Sequence, residues 1–354
     1  MSNMQKKATG KNVGAISPVL TSPEAWLHPS PNGLYCAPGK FHIDPHSPVE
    51  RAIITHGHSD HARSGHGAVL ATPETIEIMK VRYGANAARR FEPQPYGVTT
   101  NIGGVAVRLV PAGHILGSAQ VILEWQGRRI VVSGDYKRET DPTCAPFELV
   151  HCDVFVTEAT FALPVFRHGP ADREARKLIA SLGCQPDRTH LLGVYGLGKA
   201  QRMIALLRAE GYDAPIYLHG ALVALCELYE RIGIELGDLR PASEAKGKPL
   251  PGTLVLAPPS ALADRWSQRF ADPVTAFASG WMQVRGRVRQ RGVELPLVVS
   301  DHADWPDLVD TCLATGASEI WVTHGRDDAL VHELGKRGQH ARALALIGFE
   351  DEDD

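Results

Sequence analysis

No apolar run in the chain approaches the 18 or so residues that a membrane-spanning helix needs. No charged segment leading into an apolar one opens it, so no secretory signal is expected. Its six cysteines, Cys36, Cys144, Cys152, Cys184, Cys226 and Cys312, are scattered and form no CxxC pair. In a chain of this length that pattern implies free thiols and a reducing compartment, hence the cytoplasm. Internal repeats are absent. So is a basic excess: the formal net charge is −3, whereas phosphate-binding proteins are usually basic. The last five residues, Glu350 to Asp354, are all acidic and read as a solvated tail, and setting those five carboxylates aside turns −3 into +2.

What is present is ordinary globular material. The 354 residues are 44% hydrophobic and 22% charged, enough for two domains or for one α/β domain with an insertion. Residues 51–55, 105–110, 119–124, 129–133 and 154–157 are rich in β-branched side chains and bounded by Gly, Pro or Asp, which predicts strands. A helix is expected over 73–83. From about residue 170 the pattern becomes alternating: helix 171–182, strand 190–194, helix 199–210, strand 216–218, helix 222–232. Such βα alternation implies a small parallel sheet of its own. Residues 240–252 read as a loop. The end returns to strand 297–300, helix 306–313, strand 320–323 and helix 328–336. The simplest organisation is a core from residues 21–168 and 292–345, with 169–291 inserted as a cap. Residues 1–20 form a flexible leader and 346–354 an acidic tail.

The densest chemistry is at 55–61, Thr-His-Gly-His-Ser-Asp-His. Three imidazoles and a carboxylate within six residues are metal-ligand types. His56 and His58, two apart at a strand end, can point to one side. Asp60 and His61 fall on the following turn, within reach of a second cation about 3.5–4 Å away. His114, Asp135 and His324 each follow an expected strand. Alone, such a His is usually a hydrogen-bonder and such an Asp a turn residue. Recurrence of ionisable residues where successive strands end is how α/β folds build sites.

The set HxHxDH, GH, GD and a late His resembles the metallo-β-lactamase superfamily. Glu158 in TEATF, His302 in SDHAD and His324 match the added motifs of its β-CASP nuclease branch. AGHILGSAQ, SGDYKR, GLGKAQ and ASGWM look like that branch as well. GLYCAPGKF, IDP and DPTCAPF look most like bacterial ligase-associated DNA exonucleases. The resemblance spans about residues 30–340. It implies an α/β fold, the metallo-β-lactamase αββα sandwich, with an inserted β-CASP α/β cap. It implies two divalent cations, Zn²⁺ and/or Mn²⁺. His56, His58 and His114 would hold one, and Asp60, His61 and His324 the other. Asp135 would bridge them, and Asp44 would orient the ligands from behind. Such a cation pair also makes an acidic chain locally positive. Glu158 and His302 would form an acid–imidazole pair at the scissile phosphate, with Asp60 and Asp44 completing the catalytic set.

The implied function is phosphodiester cleavage in nucleic acid, with single-stranded DNA favoured over RNA. Attack would start from an end, 5′→3′, in repair beside an ATP-dependent DNA ligase. The main alternative is a β-CASP ribonuclease. A thioesterase or lactonase would share HxHxDH but lack the Glu158 and His302 motifs. A scaffold that had lost catalysis would lack ligands that are all present here.

Substrate-binding candidates are Lys199, Ser279, Arg285 and Arg287. GVYGLGKA at 193–200 resembles a P-loop but has Ala200 where Ser or Thr must hold Mg²⁺, so nucleotide hydrolysis is not expected. Its backbone amides could still grip a substrate phosphate, or be a plain strand–helix turn. Arg285, Arg287, Arg289 and Arg291 alternate, so an extended segment would place all four on one face along a phosphate backbone. A charged, protected edge strand is the ordinary alternative. Trp266, Trp281 and Trp305 fit core packing better than base stacking, and His42, His46, His66 and His219 are expected to be structural.

Overall fold

The computed structural model describes residues 22–245 and 251–344. The expected leader, the whole of the expected acidic tail and the middle of the 240–252 segment lie outside them. The chain opens with α1 (Pro23–Trp26), β1 (Leu27–Ser30), β2 (Gly33–Cys36), β3 (Phe41–Ile43), β4 (Arg51–Ile53), β5 (His66–Ala71), α2 (Pro73–Tyr83) and β6 (Ala88–Pro93). These six strands form one sheet in sequence order, antiparallel through β3 and parallel from β3 to β6. A second sheet starts with β7 (Thr99–Ile102), β8 (Val105–Pro111), β9 (Ala119–Trp125), β10 (Arg128–Val132) and β11 (Val154–Ala159).

The chain then leaves this sheet for the cap: α3 (Ala171–Cys184), β12 (His190–Gly193), α4 (Lys199–Ala209), β13 (Ile216–Leu218), α5 (Gly220–Ile232), β14 (Leu239–Pro241), β15 (Leu254–Ala257), β16 (Val274–Ala278), α6 (Arg285–Arg291) and β17 (Leu295–Leu297). The six cap strands form a parallel sheet of order β14-β13-β15-β12-β16-β17. Finally α7 (Trp305–Ala314), β18 (Glu319–Gly325), α8 (Asp327–Lys336) and β19 (His340–Ala343) return, and β18 pairs in parallel with β11. The second sheet therefore runs β19-β18-β11-β10-β9-β8-β7.

Period-two burial builds the sandwich. Val105, Val107 and Leu109 of β8 and Val121 and Leu123 of β9 face Phe41, Ile53 and Leu70 of the first sheet. The intervening Ile122 faces outward onto Leu308, Val309 and Leu330 of α7 and α8. Ile76 and Met79 of α2 cover the first sheet from its other side. The layers are thus helix, sheet, sheet, helix. Core residues Ile78, Ile115 and Leu116 belong to the cap's own apolar cluster, so cap and core share one buried interior.

Three expectations change. Residues 285–291 are helical, not extended, because Arg and Gln are good helix formers and Gly292 closes the turn at φ +62°. The strand expected at 297–300 is β17, which ends at Leu297 and pairs with β16 in the cap sheet. Residues Leu295–Leu297 thus pair with the cap sheet rather than with the second sheet of the sandwich. Residues 240–252 are not wholly loop, since β14 ends there and a 3₁₀ turn spans Ala242–Ala245. Among the described residues every cysteine is a free thiol, and no helix is long and apolar enough to cross a membrane.

Candidate metal centre

The sandwich delivers its ionisable residues where strands end. His56, His58, Asp60 and His61 follow β4, His114 follows β8, Asp135 follows β10, Glu158 lies in β11 and His324 near the end of β18. Gly57 lets this loop pass α2, since a Cβ there would come 2.4 Å from Ile78 Cγ2. The β11–β18 register shifts between Thr157 and Ala159, a bulge that re-aims Glu158, and His324 itself adopts φ +55°.

These side chains meet. His56, His58, His114 and Asp135 each offer a ligand atom within 4.8 Å of the others, as do Asp60, His61 and Asp135, and also Asp135, Glu158 and His302. Asp135 is common to all three groups. His324 stands beside them, its ring centroid 5.2 Å from that of His61.

The donor set fits a cation. His58 Nε2 lies 3.2 Å from the Leu197 carbonyl and His114 Nδ1 lies 2.8 Å from the Asp301 carbonyl. A carbonyl only accepts, so both nitrogens donate, and in a neutral imidazole the opposite ring nitrogen carries a lone pair. Those lone pairs, on His58 Nδ1 and His114 Nε2, face each other at 3.0 Å, with His56 Nε2 3.2 Å from His58 Nδ1. Converging lone pairs repel unless a cation lies between them. Burial and neighbouring imidazoles push His114 down to about 3, and burial with His61 pushes His56 well below its ordinary value, which keeps both rings neutral. His324 is likewise pushed down to about 3 by burial. Burial opposes ionisation of Asp135, yet His61 and His56 hold its carboxylate well below the usual range. At the second group, burial opposes a charge on His61, but Asp135, Asp60 and Asp44 outweigh it and favour a proton on the ring. A divalent cation can fill the same electrostatic role.

Asp44 sits behind this group. Its carboxylate accepts from Thr55 N at 2.8 Å and from Thr55 Oγ1 at 2.5 Å, and lies 2.7 Å from His61 Nδ1. Glu158, fully buried, accepts from Tyr136 N at 2.7 Å and from His302 Nδ1 at 3.0 Å. Burial raises the Glu158 carboxyl while His302 opposes the rise.

A cavity of about 310 Å³ lies over these groups between core and cap. Core residues His58, Asp60, Arg82, Phe161 and His302 line one side and cap residues Tyr195, Leu197, Lys199, Ser279 and Trp281 the other. Lys199, one of the substrate-binding candidates, lines this cavity and is engaged by an acid. It is 4% exposed, and its ammonium lies 3.0 Å from Asp301 Oδ2. Ser279 is buried and caps the turn that carries Trp281, accepting from Trp281 N at 3.3 Å. Arg285 is exposed on α6 and outside the cavity lining, whereas Arg287 stacks over Trp281 with its guanidinium 5.2 Å from the ring. Trp281 in turn packs on Phe161, and Trp305 is buried. Sequence reasoning missed Arg202, a 1% exposed arginine whose guanidinium reaches Glu139 at 2.6 Å, Asp301 at 3.5 Å and Asp141 at 3.6 Å. Nothing in the pattern KAQRMIALL separates such an arginine from one on a surface face.

The Metallo-beta-lactamase superfamily description matches residues 44–188. The sandwich, the cap and the His/Asp cluster agree with that match, and the chain resembles that superfamily with a β-CASP-type cap. It is 28% identical over 317 residues to a protein of Opitutus terrae named "Probable DNA ligase", covering 88% of this chain but only 30% of that protein. It is 26% identical to "Ribonuclease TTHA0252" of Thermus thermophilus, covering 87% of this chain and 89% of that one. A crystal structure from Enterococcus faecalis V583, titled a protein of unknown function, shares the fold at a TM-score of 0.57 and 14% identity, covering 84% and 80% of the two chains.

Proposed function

We propose that the chain is a two-cation phosphodiesterase that degrades single-stranded DNA from an end, 5′→3′. The observation that carries the reading is the convergence of His56, His58, His114, Asp60, His61 and Asp135 beneath a cleft lined by His302, which the buried Glu158 holds from behind. His56, His58 and His114 would hold one cation, Asp60, His61 and His324 the other, and Asp135 would serve both. When bound, such a pair supplies a nucleophile from water near neutral pH and neutralises phosphate charge, and Zn²⁺ or Mn²⁺ suits the donors. Asp44 fixes the His61 ring so that Nε2 faces the cluster. Glu158 accepts from His302 Nδ1, leaving Nε2 to hold a proton for the departing oxygen. The cap closes one side of the cleft, so only a strand that can thread between the domains reaches the site.

DNA as substrate, and work beside a DNA ligase, draw support from the Opitutus relative, in which a protein named "Probable DNA ligase" contains a stretch similar to most of this chain. The ligase's ATP dependence and a reducing cytoplasm rest on the resemblance and the scattered cysteines. The Thermus relative, named a ribonuclease over nearly its whole length, supports RNA as the second reading. End-labelled DNA and RNA of one sequence, incubated with the chain and Mn²⁺, Mg²⁺ or Zn²⁺, separate them. Processive shortening of DNA is the expected result, and preferential cutting of RNA overturns the DNA assignment.

A further inference from the structure

The imidazoles of the centre are aimed by two different bodies. His56 and His61 take their outer partners from the core, Thr55 Oγ1 at 3.1 Å and Asp44 Oδ2 at 2.7 Å. His58 donates instead to the cap, through the Leu197 carbonyl in the turn before α4. His114 donates to the carbonyl of Asp301, whose fully buried side chain is gripped from the cap. Lys199 Nζ lies 3.0 Å from Asp301 Oδ2, and Arg202, one turn along the same face of α4, lies 3.5 Å from Oδ1. Arg202 also donates to the Ser300 carbonyl and, across the domain boundary, to Glu139. Gly198 brings α4 hard against the loop that carries His114: a Cβ there would lie 2.3 Å from Ile115 Cγ2.

We propose that Lys199 and Arg202 are positioning residues that act through Asp301 on His114, so that the cap sets the affinity of the His56–His58–His114 cation position while the core alone sets that of the Asp60–His61 position. The inference rests on the two-cation reading above. A buried carboxylate stripped of one cationic partner shifts or draws in water, and the backbone carbonyl beside it moves with it. Groups that orient a metal-bound imidazole typically change metal affinity 10–100-fold when removed.

The full chain, stripped by chelator, is titrated with Mn²⁺ by calorimetry and its bound ions counted; cobalt substitution then reports the ligand field of each position by absorption. The parent should bind two ions. Arg202→Met and Asp301→Asn should weaken one of the two positions 10–100-fold and leave the other within about 3-fold. Arg202→Lys should restore most of the loss, and Asp44→Asn should weaken the opposite position. If Arg202→Met does not fold, Asp301→Asn and Lys199→Met, which leave Arg202 in place, decide the matter by the same titration. Two positions unchanged, or falling together, overturn the cap's selective control and leave the two-cation reading intact. A parent that binds no ion overturns both.

Discussion

Oδ2 of Asp135 lies 3.3 Å from His61, 3.4 Å from His56, 3.8 Å from His114 and 4.0 Å from His302. One atom therefore organises the whole centre. Asp135→Asn is expected to abolish cleavage and to reduce the bound ions per chain, counted by metal analysis, with circular dichroism unchanged. Glu158→Gln tests a different role. If Glu158 only orients His302, kcat falls about 10²-fold or more while the ion count stays the same; loss of an ion would reassign Glu158 as a ligand. The clustered candidates were legible because their chemistry is local: imidazoles and a carboxylate crowded at 55–61, and single residues at the ends of strands. The groups behind them were not. Asp301 reads as a neighbour of His302, and Arg202 as one more arginine on an amphipathic helix. Their meaning arises only when α4 meets the 299–302 segment, a contact between residues about a hundred positions apart.

Among elements most spans were readable, the three-residue β13 included, and α6 and β17 were not. α2 occupies the span expected for it, with Pro73 at its first position, and Thr72 accepts from Thr75 N and donates to the Gly117 carbonyl. Thr72→Ala should cost about 1 kcal/mol of stability, seen as a lower urea midpoint with unchanged slope. α6 misled because four alternating arginines fit a strand and a short helix equally well, and apolar neighbours were too few to choose. Its helical form divides them: Arg285 and Arg289 share one face, and Arg287 and Arg291 stack on Trp281 and Phe277. Arg285→Ala should accordingly weaken oligonucleotide binding by an amount that vanishes at high salt, measured by fluorescence anisotropy. A binding loss that persists at high salt would place Arg285 in a close contact instead. β17 was misplaced for a related reason, since Leu-Pro-Leu-Val-Val-Ser suits either sheet and only its pairing with β16 decides.

At the scale of the molecule, cap and core share an apolar interior and a linked set of charges, the buried Lys137, Asp141, Lys199, Arg202 and Asp301 with the partly exposed Glu139. Removing cations leaves lone pairs facing one another inside that interior. A chelator is therefore expected to lower the melting temperature, and re-addition of ion to about a hundred times its Kd to return about 2.7 kcal/mol by mass action. Scanning calorimetry with and without chelator measures this, and identical traces would mean that the site is already relaxed without an ion.

Where the polypeptide departs for the cap and where it comes back, it is stitched to itself: Trp305 N donates to the Phe166 carbonyl at 3.1 Å, and His168 N to Asp304 Oδ2 at 2.8 Å. The inserted region thus begins and ends at one seam, the geometry of a graft. A different graft could be joined at that seam without rerouting any strand beneath it. The incoming piece would still need two basic side chains placed against Asp301, so exchange is easy for the chain path and demanding for the chemistry.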